Sequence, residues 1–173
     1  KNIINIDTIF EAYDGVHKAT VLDDELIEMQ MKINSKIIKN DYGLWVDTGS
    51  PHLIIETSNT DDIDVEKEGK LIRYSDNFRE NGVNVNYVQK ISDEVFKIRT
   101  YERGVEYETM ACGTGSTASA LCMNYLDKTT KNEIKMKCLG GDLIIKFHEK
   151  GKEYSKITHI GPAQEVFKGS FVV

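Results

Sequence analysis

The sequence predicts an α+β fold in which strands dominate and one helix lies in the core. Three observations predict it. Ile27, Met29, Met31 and Ile33 alternate with Glu28, Gln30 and Lys32, the period-2 signature of a half-buried strand. Residues 117–126 (TASALCMNYL) carry Ala118, Leu121, Cys122 and Tyr125 at spacings of three and four, which places them on one helical stripe. Residues 134–138 and 143–147 are two strand-like runs joined through Gly140 and Gly141, the pattern of a hairpin.

The elements follow in order along the chain. Residues 18–22 and 27–33 read as strands flanking an Asp23-Asp24-Glu25 turn. Residues 44–47 and 53–56 are apolar and strand-like, separated by Thr48-Gly49-Ser50-Pro51-His52. Residues 61–73 are charged with weak helical spacing and read as a short surface helix. Two more strands are expected over 84–90 and 95–101. A Gly-rich turn then leads into the 117–126 helix and the hairpin. Strand patterns over 156–160 and 165–171 close the chain. Low-complexity stretches and a strong internal repeat are absent from the sequence.

Composition excludes several classes. A length of 173 residues is room for one domain, or a domain and part of another. With 40% hydrophobic and 29% charged residues the chain is globular in composition, and two prolines with 13 glycines exclude a disordered or collagen-like chain. The apolar runs are too short to cross a bilayer as helices, so no membrane partner is expected. A net charge of −6 disfavours nucleic acid, because binding phosphate requires a basic face. The start shows no signal-peptide pattern. Cys112, Cys122 and Cys138 have neither disulfide-framework nor metal-ligand spacing, so free thiols in a reducing cytoplasm are expected, with no metal. Residue 1 is Lys rather than Met, from which a trimmed chain or a portion of a longer one is expected.

The densest chemical signal is Met110-Ala-Cys-Gly-Thr-Gly-Ser116, immediately before the helix. Gly113 and Gly115 allow a sharp turn and close approach of a ligand. The unpaired N–H groups of a helix's first turn favour negative charge, so a carboxylate or phosphate would sit on Gly113, Thr114 and Gly115. The same field stabilises a thiolate, from which Cys112 is expected to be reactive, with a lowered pKa. The string is neither a nucleophile elbow nor a P-loop. Cys122 is a poor partner thiol: ten helical residues rise roughly 15 Å and turn the two side chains apart. It reads as core, and so does Cys138, which follows Ile134 and Met136 on one strand face.

Four motifs in register then give a resemblance. Arg99-Thr-Tyr-Glu-Arg-Gly-Val-Glu-Tyr-Glu-Thr-Met-Ala-Cys-Gly-Thr-Gly115 closely resembles the second-cysteine signature of diaminopimelate epimerases. GVNVNYVQ (82–89) is similar to that family's Asn-containing strand. TGSPH (48–52) is similar to its G-N-P-H turn, and GGDLIIKF with IGPAQEVFKG to its closing hairpin and last strands. The resemblance implies a mixed, mostly antiparallel sheet curled around a central helix. It also implies an amino-acid epimerase independent of pyridoxal phosphate, with no cofactor. In that chemistry two cysteines flank the substrate α-carbon, one removing the proton and the other delivering one to the opposite face.

Carried over residue by residue, Cys112 matches the second cysteine, and Gly113 and Thr114 match the amides that hold the α-carboxylate. Glu102 and Arg103 match the Glu-Arg pair at the substrate, where Arg103 would bind a distal carboxylate bidentately. Asn84 matches a substrate-binding Asn, and His52 the histidine of the turn that tunes the site. Ser50 stands where the family carries Asn, a shorter group for a substrate contact. The family's first cysteine, in a C-G-N-G segment, has no counterpart here. The resemblance therefore implies an N-terminal domain missing from this chain, with 1–35 as its remnant strands, 36–161 as the C-terminal domain and 162–173 as a return strand. The implied partners are diaminopimelate, that missing domain and a second copy in a homodimer. The alternatives are another cofactor-independent racemase of the fold (proline racemase-like) and a non-catalytic binding module built on it.

Overall fold

The computed structural model describes residues 6–12, 15–23 and 26–170. Its strands are β1 (Asp7–Ala12), β2 (Gly15–Val21), β3 (Leu26–Gln30), β4 (Ile38–Lys39), β5 (Leu44–Asp47), β6 (Pro51–Glu56), β7 (Asn84–Lys90), β8 (Val95–Glu102), β9 (Tyr107–Thr109), β10 (Glu133–Cys138), β11 (Gly141–Lys150) and β12 (Glu153–Pro162). Two helices, α1 (Val65–Arg73) and α2 (Gly113–Tyr125), and a 3-10 turn, Thr60–Asp62, complete the set. The strands form one mixed sheet in the order β1-β2-β3-β12-β11-β10-β8-β7-β6-β5-β4, with β9 paired to β8. Within it β6 pairs with β7, and β8 with β10, in parallel; the other pairings are antiparallel.

The sheet curls around α2, as expected for an α+β fold with a central helix. Helix α2 packs against β5, β6, β7, β8, β10, β11 and β12, seven strands consecutive along the sheet. Laid flat, those strands would be roughly 29 Å wide at 4.8 Å per step, against about 10–12 Å for a helix. Only a curved sheet touches one helix with all of them. Accordingly Gly115 through Asn124 are all buried, and the helix is enclosed rather than striped. Its main apolar neighbours are Val46, Ile54, Val88, Phe96, Ile134, Met136, Ile145 and Phe147.

Strand β7 is buried on both faces. Val85 and Tyr87 pack with Leu53, Val65 and Tyr101 in a second cluster under α1, while Val88 belongs to the cluster around α2. Alternation therefore turns Asn84 and Asn86 towards α2 as well. Helix α1 is the surface helix expected within 61–73. The Asp64 side chain caps it by accepting from the Lys67 N–H, and Lys70 and Arg73 sit in its last turn, where cations suit the helix dipole.

Three expectations need correction. The core helix begins at Gly113 rather than at 117, because Cys112 itself serves as its N-cap. Residues 163–170 form no strand, and Val166 and Phe167 there are exposed, so the expected 165–171 strand is not formed over 165–170; Phe171 lies outside the described residues. Cys138 is half-buried rather than core. Of the expected 23–25 turn, Asp24 and Glu25 lie outside the described residues. At the N-terminal end β1, β2 and β3 pair in sequence, and β3 joins β12 through Leu26–Pro162 and Gln30–Thr158.

Candidate active site

The site is assembled at the N-terminus of α2. Cys112 has extended backbone (φ −133°, ψ 110°), the geometry of an N-cap, and its Sγ accepts from the Gly115 N–H at 3.4 Å. The sulfur thus does what a Ser or Asp oxygen usually does at this position. The Thr114 hydroxyl lies 3.5 Å from the same sulfur. Glycine is required beside it by close approach: a Cβ on Gly115 would stand 2.5 Å from Asn86 Oδ1, and one on Gly113 would stand 2.8 Å from His159 Cε1.

His52 enters from β6 with no exposed surface. Its Nε2 is 2.9 Å from Thr114 Oγ1, and its Nδ1 is 3.1 Å from Asn86 Nδ2. Burial, and then the Arg103 charge, push its pKa from 6.5 down to about 3. His52 is therefore a neutral imidazole at any working pH.

Asn84, at the start of β7, forms the second half of the cluster. Its Nδ2 donates to Ser50 Oγ at 2.8 Å and to the Pro51 carbonyl at 2.9 Å, while its Oδ1 accepts from the Arg103 N–H at 2.8 Å. One side chain thereby ties the 48–52 turn to the Glu102–Arg103 corner. Arg103 is exposed, and its Nη1 donates to the Asn81 carbonyl at 2.7 Å. Glu102 is half-buried and accepts from the Thr109 hydroxyl at 2.9 Å. Arg99 holds β8 to β9 behind this corner through a two-pronged pair with Glu108, 2.7 Å on each prong.

The structure thus brings Cys112, Thr114 and His52 into one hydrogen-bonded line and links Ser50, Asn84 and Arg103 in another. Glu102 lies close enough to Cys112 for its charge to act on the thiol. The expected lowering of the Cys112 pKa does not hold. Burial pushes the thiol up and Glu102 adds to this, against the opposing Thr114 and Gly115 hydrogen bonds. Cys122 is core, with its thiol pushed far up by burial. Cys138 is closer to the chemistry than its strand pattern suggested: its sulfur lies 3.5 Å from Ser116 Oγ, on the first turn of α2.

The sequence reasoning missed Asn86, Thr100 and His159. Asn86 was legible, since an Asn-Val-Asn run puts Asn84 and Asn86 on one face of a strand. Thr100 faces it across β7 and β8. His159 comes from β12, far away in sequence, and nothing local marks it; its Nδ1 is buried without a hydrogen-bond partner. A cavity of about 650 Å³ lies beside the cluster, lined by Trp45, Asp47, Phe78, Asn81 and Arg103 among others; Cys112 and His52 are not part of its wall.

Known proteins resemble this chain over most of its length. A family model described as diaminopimelate epimerase matches residues 44–166. The diaminopimelate epimerase of Flavobacterium psychrophilum is 42% identical over 167 residues, covering 96% of this chain and 65% of that protein. That of a Hydrogenobaculum species is 36% identical over 180 residues, covering 98% and 64%. The chain therefore spans a little under two thirds of the length of these relatives. Among solved structures, a probable proline racemase from Agrobacterium radiobacter superposes with a TM-score of 0.67 at 14% identity, covering 100% of this chain and 62% of the other. A PhzF-family phenazine biosynthesis protein of Bacillus anthracis gives 0.66 at 12%, covering 91% and 66%. At such identities these two report on the fold alone.

Proposed function

The chain belongs to the diaminopimelate epimerase family, and from that premise we propose that it carries one half of a cofactor-independent, two-thiol epimerase site for diaminopimelate. The observation that carries this reading is the Cys112 sulfur at the head of α2, served by the Gly115 N–H and set beside the Thr114 hydroxyl. A thiolate there takes the α-proton, and the electron pair left on the α-carbon spreads into the adjacent carboxylate. The amides of Gly113 and Thr114 receive that carboxylate as its charge grows. A second thiol delivers a proton to the opposite face, so the product is inverted with no oxidant or reductant consumed.

In this reading Glu102 sits beside the substrate with its charge acting on the Cys112 thiol, and Arg103 pairs with a distal carboxylate. Asn84 and Ser50 shape the turn against the substrate, and His52 sets the hydrogen bonding around Thr114. The second thiol and the other wall of the cleft come from the part of the family's length that this chain does not span. By itself the chain exchanges the α-proton of one isomer at most, because inversion needs both thiols in a closed cleft. The complete enzyme acts in the cytoplasm, in lysine and peptidoglycan precursor synthesis, as a homodimer.

The test uses the complete protein in D₂O. Diaminopimelate should return inverted with one deuterium at the inverted carbon, and Cys112→Ala should lower turnover by about 10³-fold. Normal turnover in that variant removes Cys112 from the mechanism. Turnover of proline in place of diaminopimelate moves the protein to the racemases of the same fold.

A further inference from the structure

We infer that Asn86 is a positioning residue: it holds His52 with its proton on Nε2, and so turns the Thr114 hydroxyl hydrogen onto the Cys112 sulfur. Only the catalytic consequence of this inference rests on the epimerase reading; the hydrogen-bond argument stands without it.

The orientation of the Asn86 amide is set by its surroundings. Its Nδ2 lies 3.1 Å from the Leu53 carbonyl, 3.2 Å from the Asn84 carbonyl and 3.1 Å from His52 Nδ1. Its Oδ1 accepts from the Thr100 hydroxyl at 3.0 Å. Flipping the amide would turn its oxygen onto two carbonyl oxygens, with Asn86 fully buried and Thr100 nearly so. The two hydrogens on Nδ2 are shared among its three neighbours, and the amide nitrogen itself accepts no hydrogen bond, so His52 Nδ1 is the unprotonated nitrogen. The opposite tautomer would aim a buried N–H at a nitrogen that cannot accept it, where it does not reach water.

The proton on Nε2 then points at Thr114 Oγ1, 2.9 Å away. A hydroxyl has one hydrogen to give. With a lone pair of Oγ1 taken by His52, its hydrogen turns to the neighbour 3.5 Å away, Cys112 Sγ. The sulfur thus gains a second donor beside the Gly115 N–H. Two donors favour the thiolate and oppose the cost of burial. Burial keeps His52 neutral, so it orients Thr114 and does not itself take the proton. Asn86 does this from 0% exposure.

Two measurements on the 173-residue chain decide it. In ¹⁵N-histidine NMR, His52 should show a protonated Nε2 and a bare Nδ1, unchanged from pH 5 to pH 8. A proton on Nδ1, or titration within that range, overturns the inference. The second measurement is the pH profile of iodoacetamide alkylation, read by mass spectrometry on the Cys112 peptide alone. Thr114→Val should raise its midpoint by about one pH unit, a tenfold loss of thiolate, and Thr114→Ser should restore it. Asn86→Ala should raise it in the same direction, and the double variant should shift no further than the larger single one. An unmoved midpoint in Thr114→Val, or shifts that add, overturns the inference. If Asn86→Ala does not fold, the Thr114 pair and the NMR of the unaltered chain still decide. None of these readouts uses turnover, so failure of the epimerase reading would show separately.

Discussion

A histidine with no exposed surface gains a proton only at a cost to the fold, and this sets a pH dependence for stability. The unfolded chain protonates His52 near 6.5, whereas the folded chain resists until about 3. Stability linked to His52 is therefore complete above 6.5 and is lost as the pH falls, by about 2 kcal/mol between pH 7.5 and pH 5.0. Urea unfolding at the two pH values, on the native chain and on His52→Gln, should show that much less acid sensitivity in the variant. Equal sensitivity would mean that His52 is protonated in the fold. Steric fit is equally exacting at Gly115. Gly115→Ala brings a methyl to 2.5 Å from Asn86 Oδ1, an atom already held by Thr100, and should cost about 1–3 kcal/mol in unfolding free energy. Gly169→Ala, with open space around it, should stay within about 0.5 kcal/mol. At this scale much of the cluster was legible: Cys112, Thr114 and His52 stand in short, dense motifs. The direction of the Cys112 pKa was not. A Gly-rich approach to a helix is visible in Gly-Thr-Gly, but the burial that outweighs the helix's field depends on strands brought in from across the fold.

Helix α2 shows why its beginning was placed four residues late. Gly-Thr-Gly-Ser-Thr is a weak helix former, and propensity alone puts it in a turn. Enclosure by seven strands overrides that preference, and the Cys112 cap and the Thr117 hydroxyl bond to the Gly113 carbonyl at 2.9 Å complete the first turn. Burial dictates what substitution costs. Leu121→Ala, at 0% exposure, should destabilise by about 2–5 kcal/mol, and Leu71→Ala on α1, at 67% exposure, by well under that; chemical denaturation compares them directly. The 165–171 pattern failed for the converse reason. Alternation marks a segment fit for a sheet, but pairing requires a neighbour, and among the described residues no strand pairs with 163–170. The hairpin of β10 and β11 was legible because its pairing is local, with Cys138 opposite Gly141. The parallel partnerships β6–β7 and β8–β10 depend on long-range contacts that no local pattern announces.

Across the whole molecule, burial is uneven. Strands β7 and β8 lie between two apolar clusters, whereas β1 is largely exposed and Ile9 and Val16 face solvent. Backbone amides in β7 and β8 should therefore exchange with deuterium at the rate of global opening, and those in β1 and β2 far sooner. Equal protection across the sheet in a mass-spectrometric time course would contradict that ranking. The two regions meet on β12. Its Thr158, His159 and Ile160 are paired on both flanks at once, with β11 on one side and β3 on the other. The middle one of these three is His159, whose ring takes up the space a side chain at Gly113 would need. The outer ribbon and the head of the buried helix thus lean on one shared beam, whose middle residue stands against the immediate neighbour of the sulfur-bearing cysteine.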